Sequence, residues 1–144
     1  MAIRLISAML VTETRTTPDE AFVMIEPQFG IRLPTEQRAQ FEAAKVDHGL
    51  IELPPYKIVL LLWGGTPGTR YRITGGFGIP GEQPGKAMSS EIVWKEEPAV
   101  RLTPKLEGKI QFDNSAIYEL RLAANDEPLG VLPVVVRWND ETNI

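Results

Sequence analysis

Few residues in this chain could carry acid–base or nucleophilic chemistry. His48 is the only histidine among 144 residues, and there is no cysteine, so a general base or a metal-binding imidazole would have to be His48. A hydrolytic triad would need Ser89 or Ser90 as nucleophile and Asp47 or Asp113 to orient the ring. The sequence has no Gly-x-Ser-x-Gly elbow, and Asp47 adjoins the histidine. We therefore expect no enzyme, and a His48-dependent enzyme is the least favoured alternative.

Oxygen ligands for a cation occur in two turn-forming segments. Calcium would draw on carboxylate and amide oxygens, and the candidates are Asp113, Asn114, Asn125, Asp126 and Glu127. The two groups flank a single predicted strand at 117–123, so they should lie at opposite ends of it. We expect ordinary turn contacts here, with no metal site and no cofactor.

Aromatic residues beside glycine-rich segments are the better candidates for a ligand surface. Trp63 and Trp94 adjoin predicted loops, and Phe77 lies within one, so these three could stack on a sugar or a peptide. The loops at 64–69 and 75–85 lack the lysine and the following helix of a phosphate loop. We predict that 64–69 is a wide hairpin loop and that 75–85 is a long stretch suited to binding.

The charge pattern argues against nucleic acid as a partner. Fifteen Lys and Arg against 19 Asp and Glu give a net charge of −4, spread along the chain, whereas binding to a phosphate backbone needs concentrated positive charge. Arg70 and Arg72 are interpreted as solvated residues on either side of a core tyrosine, Tyr71.

No apolar segment approaches the length of a membrane-spanning helix, which is about 20 residues. The apolar stretch near the N-terminus, 5–11, is short and is followed at once by polar residues, so we interpret it as a first strand rather than a signal peptide. The absence of cysteine suits a reducing compartment. These observations predict no membrane partner and a location in the cytoplasm of a microbe.

Short apolar segments punctuated by 12 prolines and 12 glycines predict an all-β domain. The eight candidate strands are 3–12, 21–26, 56–63, 70–74, 91–95, 106–112, 117–123 and 129–138. Residues 118–122 alternate apolar and polar side chains, as strands with one buried face do. The inward series continues in the last strand, with Leu132, Val134, Val136 and Trp138. Residues 58–63 are apolar throughout, which predicts a central strand covered on both sides.

Two further segments complete the predicted architecture. Residues 123–128 separate two alternating runs and predict a β-hairpin. Residues 35–46 lack Gly and Pro and predict the one helix, with Thr35 as its N-cap and Gly49 as its terminator, so that His48 lies in the helix-terminal turn. We predict a single domain over 1–144, an antiparallel β-sandwich of two sheets with about eight strands and one short connecting helix.

Three stretches resemble a family of small bacterial β-sandwich domains of unknown function, whose strands follow a C2-like or immunoglobulin-like Greek key. They are the N-terminal strand with FGIRLP at 29–34, LPPYKIVLLLW at 53–63, and IYELRL at 117–122 with LGVLPV at 129–134. The helix at 35–46 departs from the family's usual short connection. The resemblance implies the fold and carries no activity with it.

Binding is the function that best fits a sandwich with so few candidate catalytic residues. We expect a protein-binding module that uses loops or an exposed sheet edge, and such an edge could also pair with a second copy of the chain. The alternative is a small-ligand domain that binds carbohydrate or calcium.

Overall fold

The computed structural model describes residues 3–16, 22–25, 30–33, 35–45, 48–113 and 117–138, and this part of the chain consists mostly of strands with one short helix. The elements are β1 (Arg4–Val11), β2 (Glu13–Thr16), β3 (Phe22–Ile25), β4 (Gly30–Leu33), α1 (Thr35–Ala44), β5 (His48–Glu52), β6 (Lys57–Trp63), β7 (Arg70–Gly78), β8 (Gly85–Val93), β9 (Ala99–Leu102), β10 (Lys109–Asp113), β11 (Ile117–Ala124) and β12 (Glu127–Trp138). The all-β prediction is confirmed. The described part has twelve strands where about eight were predicted, because β2, β4, β5 and β9 are short.

The strands form two larger sheets and two ribbons. The larger sheets have the orders β4-β12-β11-β7-β8 and β1-β6-β9, and the ribbons are β2-β3 and β5-β10. The prediction of purely antiparallel sheets is wrong, because β4 runs parallel to β12, with Ile31 opposite Val136. A parallel neighbour requires a long connection, and here it spans most of the sequence.

One hydrophobic core receives the inward side chains of both larger sheets. Tyr118, Leu120 and Leu122 of β11 are buried as the alternation predicted, and so is Trp138 of β12. At one corner Leu5 of β1 packs onto Gly130 of β12, where a Cβ would lie 3.2 Å from the leucine Cδ2. The inner faces of the two sheets therefore pack closely against each other.

The predicted β11–β12 hairpin is confirmed, and its turn has a defined chemistry. Asn125 and Asp126 have φ angles of 49° and 69°, and two central residues with positive φ are the mark of a type I′ turn. The Asn125 Oδ1 accepts a hydrogen bond from the backbone N–H of Arg72 at 2.8 Å. The turn is thereby fastened to β7.

The glycine-rich segment 75–85 is not the continuous loop that was predicted, because Gly75–Gly78 lies within β7 and only 79–84 connects β7 to β8. The glycines are needed for close packing. A Cβ on Gly75 would lie 2.6 Å from the Cγ of Met88, and one on Gly76 would lie 3.0 Å from Pro84. These residues gave a turn signal in the sequence, yet here they make room for neighbouring side chains.

The segment 64–69 is not a hairpin loop, because it joins β6 of the three-stranded sheet to β7 of the five-stranded sheet. It is held at several points. The backbone N–H of Thr66 donates to the Tyr71 hydroxyl at 2.9 Å, and Gly65 lies against the indole of Trp94. The crossover between the sheets is therefore a fixed part of the fold.

The predicted helix is confirmed as α1, with different ends. Thr35, predicted as the N-cap, is its first residue. The helix ends where Lys45 takes a left-handed conformation (φ 57°) and donates to the Glu42 carbonyl. The predicted terminator, Gly49, lies in β5. Phe41 packs edge-on against Trp138 with ring centroids 5.9 Å apart, so the helix contacts the core through one aromatic side chain.

Candidate functional site

The three aromatic residues predicted to line a ligand surface do not come together in the structure. Phe77 is buried and stacks on Tyr118, with ring centroids 5.6 Å apart. Trp94 is also buried, and its Nε1 donates to the carbonyl oxygen of Glu97 at 2.8 Å. Of the three, only Trp63 is exposed, at 47% of its surface, so a surface site can include Trp63 but neither of the other two.

Of the residues considered for catalysis, His48 and Asp113 occupy paired backbone positions, whereas Ser89 and Ser90 are on a different sheet. Asp47, the other candidate orienter, lies outside the described residues. His48 is in β5, opposite Asp113 of β10, and not in a helix-terminal turn; their side chains fall outside the described part, as does Asn114. Ser89 and Ser90 lie in β8 of the five-stranded sheet.

In the turn between β11 and β12, the side-chain oxygens of Asn125 and Asp126 bind to β7. Asn125 contacts the backbone of β7, accepting from the Arg72 N–H and donating to the Arg70 carbonyl. Asp126 forms an ion pair with the Arg72 guanidinium at 3.2 Å. These are the turn contacts expected from the sequence.

The outward face of the three-stranded sheet can be read from its register. Trp63 lies opposite Arg4 of β1 and Ala99 of β9, and the pairing of Lys57 with Lys105 continues the β6–β9 register beyond the strand end. Since residues directly opposite one another share a face and each strand alternates, twelve positions face outward. We call these the outer face: Arg4, Ser7, Met9, Val11, Lys57, Val59, Leu61, Trp63, Ala99, Arg101, Thr103 and Lys105.

The centre of the outer face is apolar and becomes more exposed toward Trp63. Val11 and Val59 are buried at one end, yet they are not members of the main core cluster. Trp63 and Met9 are exposed at 47% and 36%. Ile6, at a register shift of β1 between Leu5 and Ser7, adds a side chain that is 54% exposed. The prediction that 58–63 is covered on both sides therefore holds at Val59 and fails at Trp63.

The charges on the outer face all have one sign. Its charged positions are Arg4, Lys57, Arg101 and Lys105, and no acid occurs among the twelve. The nearest acids in sequence to β9 are Glu96 and Glu97, in the turn before that strand. Of these four, Arg4 lies opposite Trp63, whereas Lys57 and Lys105 lie opposite each other at the other end of the sheet.

Two arginines of the five-stranded sheet have acidic partners. Arg70 pairs with Glu91 at 3.3 Å and Arg121 pairs with Glu119 at 2.6 Å. Both acids are on the same sheet as their arginines, so the charges there are balanced locally.

Trp63 is held on a fixed backbone. The next residue, Gly64, donates its N–H to the Pro98 carbonyl at 3.2 Å. Gly65 then passes so close to the Trp94 indole that a Cβ would lie 2.1 Å from the ring. Trp94 is in turn bonded to the same crossover, donating its backbone N–H to Thr69. These contacts fix the backbone that follows Trp63.

A pocket of about 390 Å³ lies next to the Lys105 end of the sheet, between 52–55 and 105–108. Leu53 and Leu106 are its buried residues. Pro54 and Pro55 supply no backbone N–H, so the pairing between these two segments is interrupted here. The hydrogen bonds on either side run from Leu53 N to the Gly108 oxygen and from Leu106 N to the Tyr56 oxygen. The opening thus results from a gap in a β-ladder.

Sequence reasoning missed most of the outer face. Arg4, Met9 and Arg101 lie in three segments far apart in sequence, and each is unremarkable in its own strand. The available signal was the apolar run 58–63, whose second face needed a cover. Only the register shows which residues surround Trp63.

Comparison with known proteins gives no assignment: neither a family model nor a curated protein matches this chain. The described part of the chain contains no helix long and apolar enough to cross a membrane. The function must therefore be argued from the surface itself.

Proposed function

We propose that this chain is a non-enzymatic protein-binding module that contacts its partner through the outer face around Trp63. The observation that carries the proposal is the grouping of Trp63, Met9 and Ile6, three large exposed apolar side chains on adjacent strands of one sheet. Trp is the residue most enriched at the energetic centres of protein interfaces. Exposed apolar side chains gathered on one surface commonly mark an interaction site.

The edges of the two larger sheets support the same choice, because each is short, irregular or bonded to another segment. β4 donates the N–H of Arg32 to the Tyr56 hydroxyl at 3.3 Å, and Ala87 of β8 accepts a hydrogen bond from Glu107. β9 has only four residues between Pro98 and Thr103, and β1 carries the irregularity at Ile6. Short strands, flanking prolines and bulges are features that discourage edge pairing. A face therefore suits docking better than an edge.

The alternative of a small-ligand domain is supported by the pocket beside Lys105, since about 390 Å³ falls within the usual 300–1,000 Å³ range for ligand sites. Of the three residues expected to stack on a carbohydrate, two, Phe77 and Trp94, are buried in the core. The pocket and the outer face can be separated by experiment, because Leu53 and Trp63 lie on different segments.

Two finer assignments belong to the same proposal. The resemblance to small bacterial sandwich domains and the single shared core support a C2-like or immunoglobulin-like arrangement, with β4 as a parallel addition. The cysteine-free composition supports a cytoplasmic location.

The test is site-specific photo-cross-linking in a lysate of the source cell. Benzoylphenylalanine placed at Met9 should yield a discrete adduct with another protein, because that side chain is exposed on the same face of the sheet as Trp63. The matched control is the same group at Val131, which is 54% exposed on β12 of the other sheet. Equal adducts from both positions, or none from Met9, would contradict the proposed function.

A further inference from the structure

Methionine is the only residue type through which sulfur redox chemistry could act on this chain, because the sequence has four methionines and no cysteine. The structure describes the side chains of two of them, Met9 of β1 and Met88 of β8. A thioether is oxidised to a sulfoxide where an oxidant reaches the sulfur. Access to the two side chains therefore decides which of them reacts.

Met9 and Met88 differ in their access to solvent. Met9 is 36% exposed on the outer face, whereas Met88 is 2% exposed in the core. Met88 is also closely packed against β7, since a Cβ on Gly75 would lie 2.6 Å from the Met88 Cγ and 3.2 Å from its sulfur. A dissolved oxidant should therefore react at Met9 well before it reacts at Met88.

Met9 lies where the buried and exposed parts of the outer face meet. On one side are Val11 of the same strand and Val59 directly opposite, at 0% and 8% exposure. On the other side the face leads to Ile6 and Trp63, at 54% and 47% exposure. A partner that docks on this face as proposed covers Met9, so the chemical state of its sulfur affects the docking.

Building on the proposed function, we infer that Met9 is a redox-sensitive modification site whose oxidation by hydrogen peroxide weakens docking on the outer face. The sulfur lone pair attacks one peroxide oxygen, so that an S–O bond forms and the O–O bond breaks. The sulfur loses two electrons to the peroxide. The departing hydroxide takes the proton of the transferred oxygen and leaves as water.

The product changes an apolar part of the face into a polar one. A sulfoxide is polar and chiral, while the thioether is apolar and flexible. Burying a polar group without a hydrogen-bond partner costs free energy, and the side chain directly opposite, Val59, supplies no donor. Methionine sulfoxide reductases restore the thioether, so the change is reversible.

The experiment moves the photo-cross-linker to Ile6, an exposed residue of the same strand. The purified chain is oxidised with hydrogen peroxide, the excess is destroyed with catalase, and the chain is then irradiated in a desalted lysate of the source cell. Peptide mass spectrometry should find sulfoxide at Met9 before Met88. We expect the adduct yield to fall at least roughly fivefold, and to recover when the oxidised chain is first treated with methionine sulfoxide reductases A and B and dithiothreitol.

Substitutions at the two methionines assign the effect to one sulfur. Met9→Leu keeps an apolar side chain of similar volume and removes the sulfur, so peroxide should leave its adduct yield unchanged. Met88→Leu is the matched control and should lose its adduct on oxidation as the unsubstituted chain does. Met9→Gln places a polar amide at the same position and should lower the yield without peroxide.

The outcomes separate this inference from the proposed function. An Ile6 adduct that survives complete oxidation of Met9, or that peroxide still abolishes in Met9→Leu, would overturn the redox-sensitive site and leave the docking face in place. Oxidation of Met88 as fast as Met9 would overturn it too. Absence of an Ile6 adduct from the unoxidised chain would contradict the proposed function as well. Circular dichroism before and after oxidation establishes that the chain stays folded.

Discussion

At the scale of single residues, Trp94 shows how one side chain can fix the surroundings of another. Its ring lies against the backbone of Gly65, its Nε1 donates to Glu97, and its edge meets Tyr71 with ring centroids 6.0 Å apart. These contacts hold the crossover that begins directly after Trp63. The buried Trp94 therefore helps to fix the backbone next to the exposed Trp63, through the crossover that begins after Trp63.

The first prediction concerns Gly65. Gly65→Ala should lower the free energy of unfolding by roughly 2–3 kcal/mol, because its Cβ would lie 2.1 Å from the Trp94 ring. Gly68→Ala is the control: its Cβ would meet nothing within 4 Å, but its φ is +82°, so a cost of about 1 kcal/mol is expected from the backbone alone. Urea unfolding compares the free energies of unfolding of the two variants. A larger decrease in Gly68→Ala than in Gly65→Ala would contradict the packing argument.

The second prediction distinguishes the three tryptophans in solution. Trp94 and Trp138 are buried at 2% and 5% exposure, against 47% for Trp63. Acrylamide should therefore quench mainly the fluorescence of Trp63, and Trp63→Phe should remove most of the quenchable emission. Trp63→Phe should also change the free energy of unfolding by less than about 1 kcal/mol, since surface substitutions usually have small effects. Strong quenching that persists in Trp63→Phe would show that another tryptophan is open to solvent.

At the scale of elements, sequence reasoning succeeded where the information was local. The β11–β12 hairpin was predictable because both strands alternate and Asn125 and Asp126 suit positive φ angles. The glycines at 75–78 gave the opposite result. They were interpreted as a loop because glycine usually signals a turn, while their actual cause is the bulk of Met88 and Pro84, which no local pattern reveals.

The candidate site was less predictable than the fold for the same reason. Trp63 was identified because it ends an apolar strand beside a loop, and Trp94 was grouped with it on identical grounds. Their burial differs because the crossover folds over Trp94 and leaves Trp63 outside. The residues that share a face with Trp63 come from three segments, so their grouping depends on the register of β1 and β9 with β6.

The hairpin turn provides a prediction at this scale. Asn125→Ala should cost about 1–2 kcal/mol, because it removes the acceptor for the Arg72 N–H and places alanine at a φ of 49°. Asp126→Gly should be neutral or stabilising by up to about 0.5 kcal/mol, since relief of a positive φ offsets loss of an exposed ion pair. Thermal unfolding compares the two, and destabilisation by Asp126→Gly as large as that by Asn125→Ala would show that the ion pair outweighs the turn geometry.

At the scale of the whole molecule, the two larger sheets share a core and differ in the charge of their outward sides. The five-stranded sheet pairs Arg70 and Arg121 with acids of its own, whereas the outer face of the three-stranded sheet has four cations and no acid. Of the four cations, Arg4 lies opposite Trp63, and Lys57 and Lys105 lie at the other end of the face. Self-association through this face is therefore opposed by charge as well as by the obstructed edges.

The last prediction follows from that asymmetry. At an ionic strength of about 0.1 M, where charges interact over about 10 Å, the chain should scatter light as a monomer of 16.0 kDa even at high concentration. Raising the salt concentration weakens the repulsion between two cationic faces, so any dimer should appear at high salt and should disappear in Trp63→Ser. Val131→Ser, which changes a comparably exposed apolar residue on the other sheet, should leave that dimer intact. A dimer that forms at low salt and is insensitive to Trp63→Ser would instead indicate pairing through a strand edge, and it would remove the argument for preferring the face.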